Sequence, residues 1–420
     1  MALLNRLSKR WSHPVDLASL HFVRVGVGAL VMVEVFRFLA SGWVDTALVQ
    51  TAFHFKYAGF GWVDPLGSTG MWCVLCIVGI AGLGMVTSIQ PKLCAALCML
   101  GFSYVFLIDK THYLNHIYFL IWVCGLLAVV DSNQKQQGRM WMLDLARFQV
   151  GIVYVFGGIA KLNTDWLSGR PMLQWMDGRA DWPWVGNFLS WDPFAYALSW
   201  GGIAFDLLIV PALMARRTRP FAFAAVVVFH SLNAILFKIG IFPMMMVVVS
   251  TIFFAPDWWR RTAVSIPEPP RFNRMWIGVV LLWMTIHVTV PLRHFWTPGD
   301  VAWSEEGHRF SWRMKLRSKV GRVVFHALDR KRGTHKVIDP LAELTAVQTR
   351  KMATRPDMIL QYAHHLRDGL ATEGSGDWAV HVDSKVGLNG RPLQTFIQPS
   401  VDLAGIECSA SGVDWIMPRP

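Results

Sequence analysis

Long runs of apolar residues, separated by short polar stretches, fill roughly the first two thirds of the chain. Segments of roughly 17 to 25 apolar residues are long enough to cross a bilayer as helices. Such runs fall at 18–40, 70–89, 93–108, 116–130, 148–162, 196–214, 221–236, 239–254 and 275–291, which predicts about nine spans. Several are short for a full crossing, as expected of tilted or re-entrant helices held inside a bundle. From 293 the pattern turns polar and leaves room for one small domain of about 125 residues. There 310–317 and 321–328 alternate like strands, and 344–370 has a helical period. Residues 378–397 read as two strands joined by Asn389-Gly390, a strong hairpin signal. Pro356 suits the start of a helix rather than its middle. The fold expected is a membrane all-α bundle over 1–292, followed by a small exported α+β domain over 293–420.

Composition agrees: 53% of the 420 residues are hydrophobic and 16% charged, which excludes an ordinary soluble protein, and 21 Trp are available for membrane interfaces. The net charge of +12 could suggest nucleic acid, but the basic residues lie between spans rather than on one soluble face, so no nucleic-acid partner is expected. Their placement reads as topology. With the N-terminus inside, inside segments carry Arg6, Lys9, Arg10, Lys92, Lys135, Arg139, Arg147, Arg216, Arg217, Arg219, Arg260, Arg261, Arg271 and Arg274. Outside segments hold only Lys56, Lys110, Lys161, Arg170, Arg179 and Lys238. The positive-inside rule then puts the C-terminal domain outside. The first apolar run is long, follows Arg10 and lacks a small-residue cleavage site, so no cleavable signal peptide is expected.

This topology brings three distant polar clusters to one membrane face. They are 109–116 around His112, Tyr113, Asn115 and His116; 161–166 beginning at Lys161; and 229–242 with His230 and Asn233. Each has a plain structural reading. A helix-end lysine can snorkel, Asn115 can cap a helix, and His230 can be satisfied within the bundle by a carbonyl or by Asn233. His112 and His116 would share one helical face, but a metal site needs a third ligand, and no metal is expected. Cys73, Cys76, Cys94, Cys98 and Cys124 fall in apolar spans with only Cys408 beyond them, so no disulfide framework can be read. A transporter would instead carry its polar residues near the midplane and often show inverted repeats. A non-catalytic scaffold would need no buried lysine.

The stretches DKTHYLNH (109–116), AKLNTDW (160–166), FHSLNAILFKIGIF (229–242) and RHFWTPGDVAWSEEGHRFSW (293–312) resemble the vitamin K-dependent gamma-glutamyl carboxylases and the membrane proteins that share their transmembrane domain. RPDMILQYAHHL (355–366) and NGRPLQTFIQPSVD (389–402) extend the likeness into the polar region. It implies a carbon–carbon lyase that couples oxidation of reduced vitamin K, a naphthohydroquinone, to its epoxide with carboxylation of protein glutamate to gamma-carboxyglutamate. The co-substrates implied are oxygen and carbon dioxide, and the partners are a Glu-containing protein or peptide and the lipid bilayer. It also implies Lys161 as the base, His116 as the group orienting the cofactor oxygen, and Asn115, His230, Asn233 and Tyr113 as cofactor-binding residues.

Desolvation at an apolar helix end favours a neutral amine, which would suit Lys161 to take a phenol-like proton. Tyr118, Phe156 and Trp166 are candidates to wall the site against water. Relative to the animal enzymes, Ala160 replaces the first of two lysines and Leu114 the first of two asparagines, and the chain ends at Pro420, short of their long lumenal region. The absence of Asn-x-Ser/Thr acceptors points to a bacterial cytoplasmic membrane, with the endoplasmic reticulum as the alternative. A quinone epoxidase that does not carboxylate glutamate is the alternative activity.

Overall fold

A computed structural model describes residues 2–130, 137–237, 239–255, 258, 275–373, 376–407 and 414–419. Lys135, Lys238, Arg260, Arg261, Arg271, Arg274 and Cys408 lie outside the described residues.

The chain opens with helix α1 (Ala2–Trp11) and a short strand β1 (Pro14–Asp16). Helices α2 (Ala18–Ala40), α3 (Gly67–Thr87), α4 (Pro91–Ile108) and α5 (Asn115–Val129) follow. Strand β2 (Gln137–Arg139) pairs antiparallel with β1 and leads into α6 (Met140–Lys161). Three short helices, α7 (Thr164–Leu167), α8 (Arg170–Asp177) and α9 (Gly186–Leu189), precede α10 (Asp192–Met214), α11 (Arg219–Leu236), α12 (Phe242–Ser250) and α13 (Met275–Leu292).

A helix occupies each of the nine predicted apolar segments, but the expected count of about nine spans is not established. Among the described residues, six helices are long and apolar enough to cross a membrane: α3, α4, α6, α10, α11 and the stretch Met275–Phe295. The others differ for physical reasons. Helix α2 has the length but buries Arg24 and Glu34, while α5 and α12 are too short. Buried apolar side chains from these helices form one large core.

The C-terminal region contains α14 (Val301–Ser304), β3 (Lys319–Asp329), β4 (His335–Ile338), α15 (Ala346–Met352), α16 (Pro356–Glu373), β5 (Trp378–Leu388) and β6 (Gln394–Thr395). The four strands make one antiparallel sheet in the order β4-β3-β5-β6, with Phe325 opposite Val382. Its inward residues Val323, Phe325, Val380 and Val382 pack with Met358, Ile359 and Tyr362 of α16.

The expected hairpin turn is present, with Asn389 and Gly390 at φ 52° and 77° as a type I′ turn requires. The single helical period over 344–370 divides into two helices. A capping box between Thr345 and Gln348 starts α15, and Pro356 starts α16. Residues 310–317 do not form the expected strand. Phe310, Trp312 and Lys315 take positive φ, and the alternation arises because Trp312 and Leu316 bury against the helices while the segment runs across the mouth of the bundle.

Candidate functional site

A cavity of about 530 Å³ lies between the helical bundle and segment 308–317. The six residues expected to be catalytic or cofactor-binding line it: Tyr113, Asn115, His116, Lys161, His230 and Asn233. The fold brings them together by ending helices at one level. Helix α6 stops at Lys161, α11 stops at Leu236, and α5 begins at Asn115. Asn163 sets the stop after α6, because its Oδ1 accepts from Trp166 N at 3.0 Å and starts α7.

Lys161 does not snorkel into solvent. Its ammonium forms an ion pair with Asp206 of α10 and donates to the Gly157 carbonyl at 3.3 Å, with Nζ 5.5 Å from the Trp166 ring. Asp206 is 6% exposed, so the lysine is not the lone desolvated amine that the sequence suggested. Trp166 is 3% exposed, and its indole donates to the Ser199 carbonyl at 2.9 Å, which makes it a cavity wall rather than an interface anchor. Tyr118 and Phe156 do not line the cavity. Tyr118 packs on Phe310 and Trp312, and Phe156 is buried in the main core.

His116 is buried, and its Nε2 has no hydrogen-bond partner; the nearest carboxylate oxygen, on Glu34, stands 3.9 Å away. Glu34 is already held by Arg37, which donates from Nε at 2.9 Å and from Nη2 at 2.5 Å. His112 does not share a helical face with His116. It ends a 3₁₀ turn, the chain is extended through Tyr113 and Leu114, and the His112 ring meets Trp43 edge-on instead.

Asn115 does not cap α5, since Leu114 occupies the cap position. Its Oδ1 accepts from the Tyr113 hydroxyl at 2.8 Å, and its Nδ2 reaches the Arg313 carbonyl at 3.5 Å. Tyr113 in turn accepts from Phe310 N at 2.7 Å. The pair thereby locks segment 308–317 onto the bundle. On the opposite wall, His230 Nε2 shares a 2.9 Å hydrogen bond with the Tyr154 hydroxyl, leaving Nδ1 buried without a partner. Asn233 donates back to the Phe229 carbonyl at 2.9 Å.

The cavity has two chemical halves. Toward the helical bundle its walls are Phe229, Leu232, Leu236, Phe237 and Met246. Toward the C-terminal region it is lined by Arg309, Arg313, Lys315, Arg317, Lys351 and Arg355. Arg309 is paired with Asp357 at 2.8 Å, and Arg317 with Glu305. Arg313, Lys315, Lys351 and Arg355 form no ion pair with a carboxylate among the described residues. Burial lowers Lys351 to about 7, assisted by the charges of Arg355, Arg350 and Arg317. Burial also lowers Arg313 and Arg355 to about 10. The Glu305 carboxyl, which burial alone would raise, is held well below its usual range by Arg317 and Lys319. Unpaired cations crowded at a half-buried mouth attract an anionic ligand.

Sequence reasoning missed Asp206, Tyr154, Glu34 and this cationic rim. Asp206 carried a signal: it is the single acidic residue within the apolar run 196–214. The rim residues carried none, because Arg313, Lys351 and Arg355 converge only in three dimensions.

Residues 12–258 match the family model of the HTTM domain. Residues 272–420 match that of the vitamin K-dependent gamma-carboxylase, lumenal domain. No solved structure matches the chain.

Proposed function

The chain belongs to the vitamin K-dependent gamma-glutamyl carboxylase family, and from that premise we propose that it carboxylates protein glutamate to gamma-carboxyglutamate while a reduced naphthoquinone is oxidised to its epoxide. The observation that carries this reading is the two-sided cavity of about 530 Å³, apolar toward the helical bundle and cationic toward the C-terminal region, with Lys161 and His116 on its wall.

The residues present fit a naphthohydroquinone. The apolar half accepts a flat ring and the start of an isoprenoid tail, while the unpartnered His116 Nε2 and His230 Nδ1 are the polar atoms that a ring oxygen would satisfy. When bound, reduced vitamin K supplies, on oxidation by dioxygen, a base strong enough to remove the glutamyl gamma proton so that carbon dioxide can add there. Lys161 takes the proton of the hydroquinone hydroxyl. His116 orients the ring oxygen, held beside the Glu34–Arg37 pair. Tyr113 and Asn115 fix the wall behind it, and His230 and Asn233 close the opposite side. Trp166, Phe229 and Phe237 exclude water, which would quench a strong base. Arg313, Lys351 and Arg355 receive the carboxylate of the incoming glutamate.

The distribution of basic residues supports an N-terminus inside and a C-terminal domain outside, and the absence of Asn-x-Ser/Thr acceptors supports a bacterial cytoplasmic membrane. The test is to incubate the purified protein with a reduced naphthoquinone, dioxygen, bicarbonate and a Glu-containing peptide. Quinone epoxide and carboxylated peptide support the reading. Epoxide without carboxylated peptide favours a quinone epoxidase, and neither product refutes both.

A further inference from the structure

Helices α6 and α10 approach closely where Lys161 and Asp206 meet, and small residues permit it. A β-carbon on Gly158 would stand 2.7 Å from Leu207 Cδ2 and 3.2 Å from Asp206 Cβ. One on Gly157 would stand 3.1 Å from Asp206 Oδ2 and 4.0 Å from Lys161 Nζ. Gly202, one turn before Asp206 on α10, leaves room for the lysine stem, whose Cε would lie 3.8 Å from an added β-carbon. Both charged groups line the cavity, and Asp206 is 6% exposed. A carboxylate placed among apolar helices is costly and calls for a use.

An ammonium bonded to a carboxylate already holds its full set of protons and cannot accept another. We propose that Asp206 is the positioning residue of Lys161 and the final acceptor of the proton that Lys161 takes up. The proposal rests on the carboxylase reading above and adds a residue to it. As Lys161 approaches a phenol-type hydroxyl in the cavity, one ammonium N–H bond breaks and an O–H bond forms on Asp206. The hydroxyl O–H bond then breaks and a new N–H bond forms on Lys161. One proton has moved from the hydroxyl to Asp206, no electrons have changed hands, and the phenolate that remains lies beside an ammonium no longer neutralised by Asp206. The carboxylate thus releases the lysine's charge when an anion appears next to it.

The test compares the parent with Asp206→Asn, Asp206→Glu and Gly157→Ala. One readout is epoxide formation. The second needs no quinone: trace acetylation of Lys161 across a pH series, read by mass spectrometry, which reports when the amine is free to react. Asp206→Asn is expected to lower epoxide formation roughly tenfold or more and to displace the labelling profile by about one pH unit or more. Asp206→Glu restores both toward the parent. Gly157→Ala, which keeps both charges but crowds their contact, gives an intermediate loss and keeps the proposal testable if Asp206→Asn does not fold. An Asp206→Asn labelling profile that overlays the parent's overturns the role of Asp206. A displaced profile in a protein whose parent makes no epoxide supports the Asp206–Lys161 partnership and counts against the carboxylase reading instead.

Discussion

Gly240 lies against His116: a β-carbon built on Gly240 would stand 3.2 Å from His116 Nε2 and 3.8 Å from Arg37 Nη2. Gly240 also takes φ +58°, in the left-handed region that favours glycine. The Gly240→Ala variant therefore meets two penalties at once, strain and a push on the imidazole. Strain of about 1–2 kcal/mol should appear as a modest fall in melting temperature, with a much larger fall in epoxide formation. An activity equal to the parent's would remove His116 from the site as described.

Asp165 holds the C-terminal region onto the bundle. It accepts from Asn389 Nδ2 at 2.7 Å, from Arg391 Nη2 at 2.5 Å and from Arg419 Nη2 at 2.7 Å, four residues after Lys161. Replacing it with Ala leaves Arg391 without a carboxylate partner and Arg419 with Asp300 alone, and is expected to weaken the contact by about 1–3 kcal/mol. Limited proteolysis of the C-terminal region, faster in Asp165→Ala than in the parent, checks this.

The same contact predicts a pH limit. Burial alone would raise the Asp165 carboxyl, but the hydrogen bonds of Arg391 and Asn389 and the charges of Arg419 and Arg391 hold it at about 2. Its folded value thus lies below the unfolded value of about 3.9. The stabilisation is full above about pH 4 and is lost as pH falls toward about 2. Melting temperatures should converge for parent and Asp165→Asn across that window and stay apart at neutral pH.

Lys351 gives a dependence of opposite sign. With its amine at about 7, it is charged below neutrality and loses its charge as pH rises. The affinity for a Glu-containing peptide should fall on the order of tenfold, as expected for losing one charge-assisted bond, between about pH 6 and pH 8. Lys351→Gln should flatten that fall. Equilibrium binding of a labelled peptide reads both, and an unchanged pH dependence in Lys351→Gln would remove the residue from the anion site.

The parts of this fold visible in the sequence are those set by local pattern. Apolar runs located the helices, and Asn389-Gly390 and Pro356 marked a turn and a helix start, because hydrophobic periodicity and φ preferences act within a few residues. Polar groups in apolar surroundings gave Lys161, His116 and His230, which the fold does bring to one cavity. Partnership was not visible. Asp206 is 45 residues from Lys161, and nothing local ties the two. Segment 310–317 was misread as a strand because alternation does not distinguish a sheet edge from an irregular chain wedged over a bundle. The His112 and His116 spacing misled similarly, since the intervening extended residues break the helix that would have aligned them.

The central claim is that Lys161 works as a base at the cavity wall rather than serving only to hold helices α6 and α10 together. The most direct measurement is the rate of quinone epoxide formation by Lys161→Ala relative to the parent, with both proteins matched for melting temperature. The account predicts a loss of about 10² to 10⁴, with peptide carboxylation lost in parallel. A folded Lys161→Ala protein that forms epoxide at the parent's rate would contradict it.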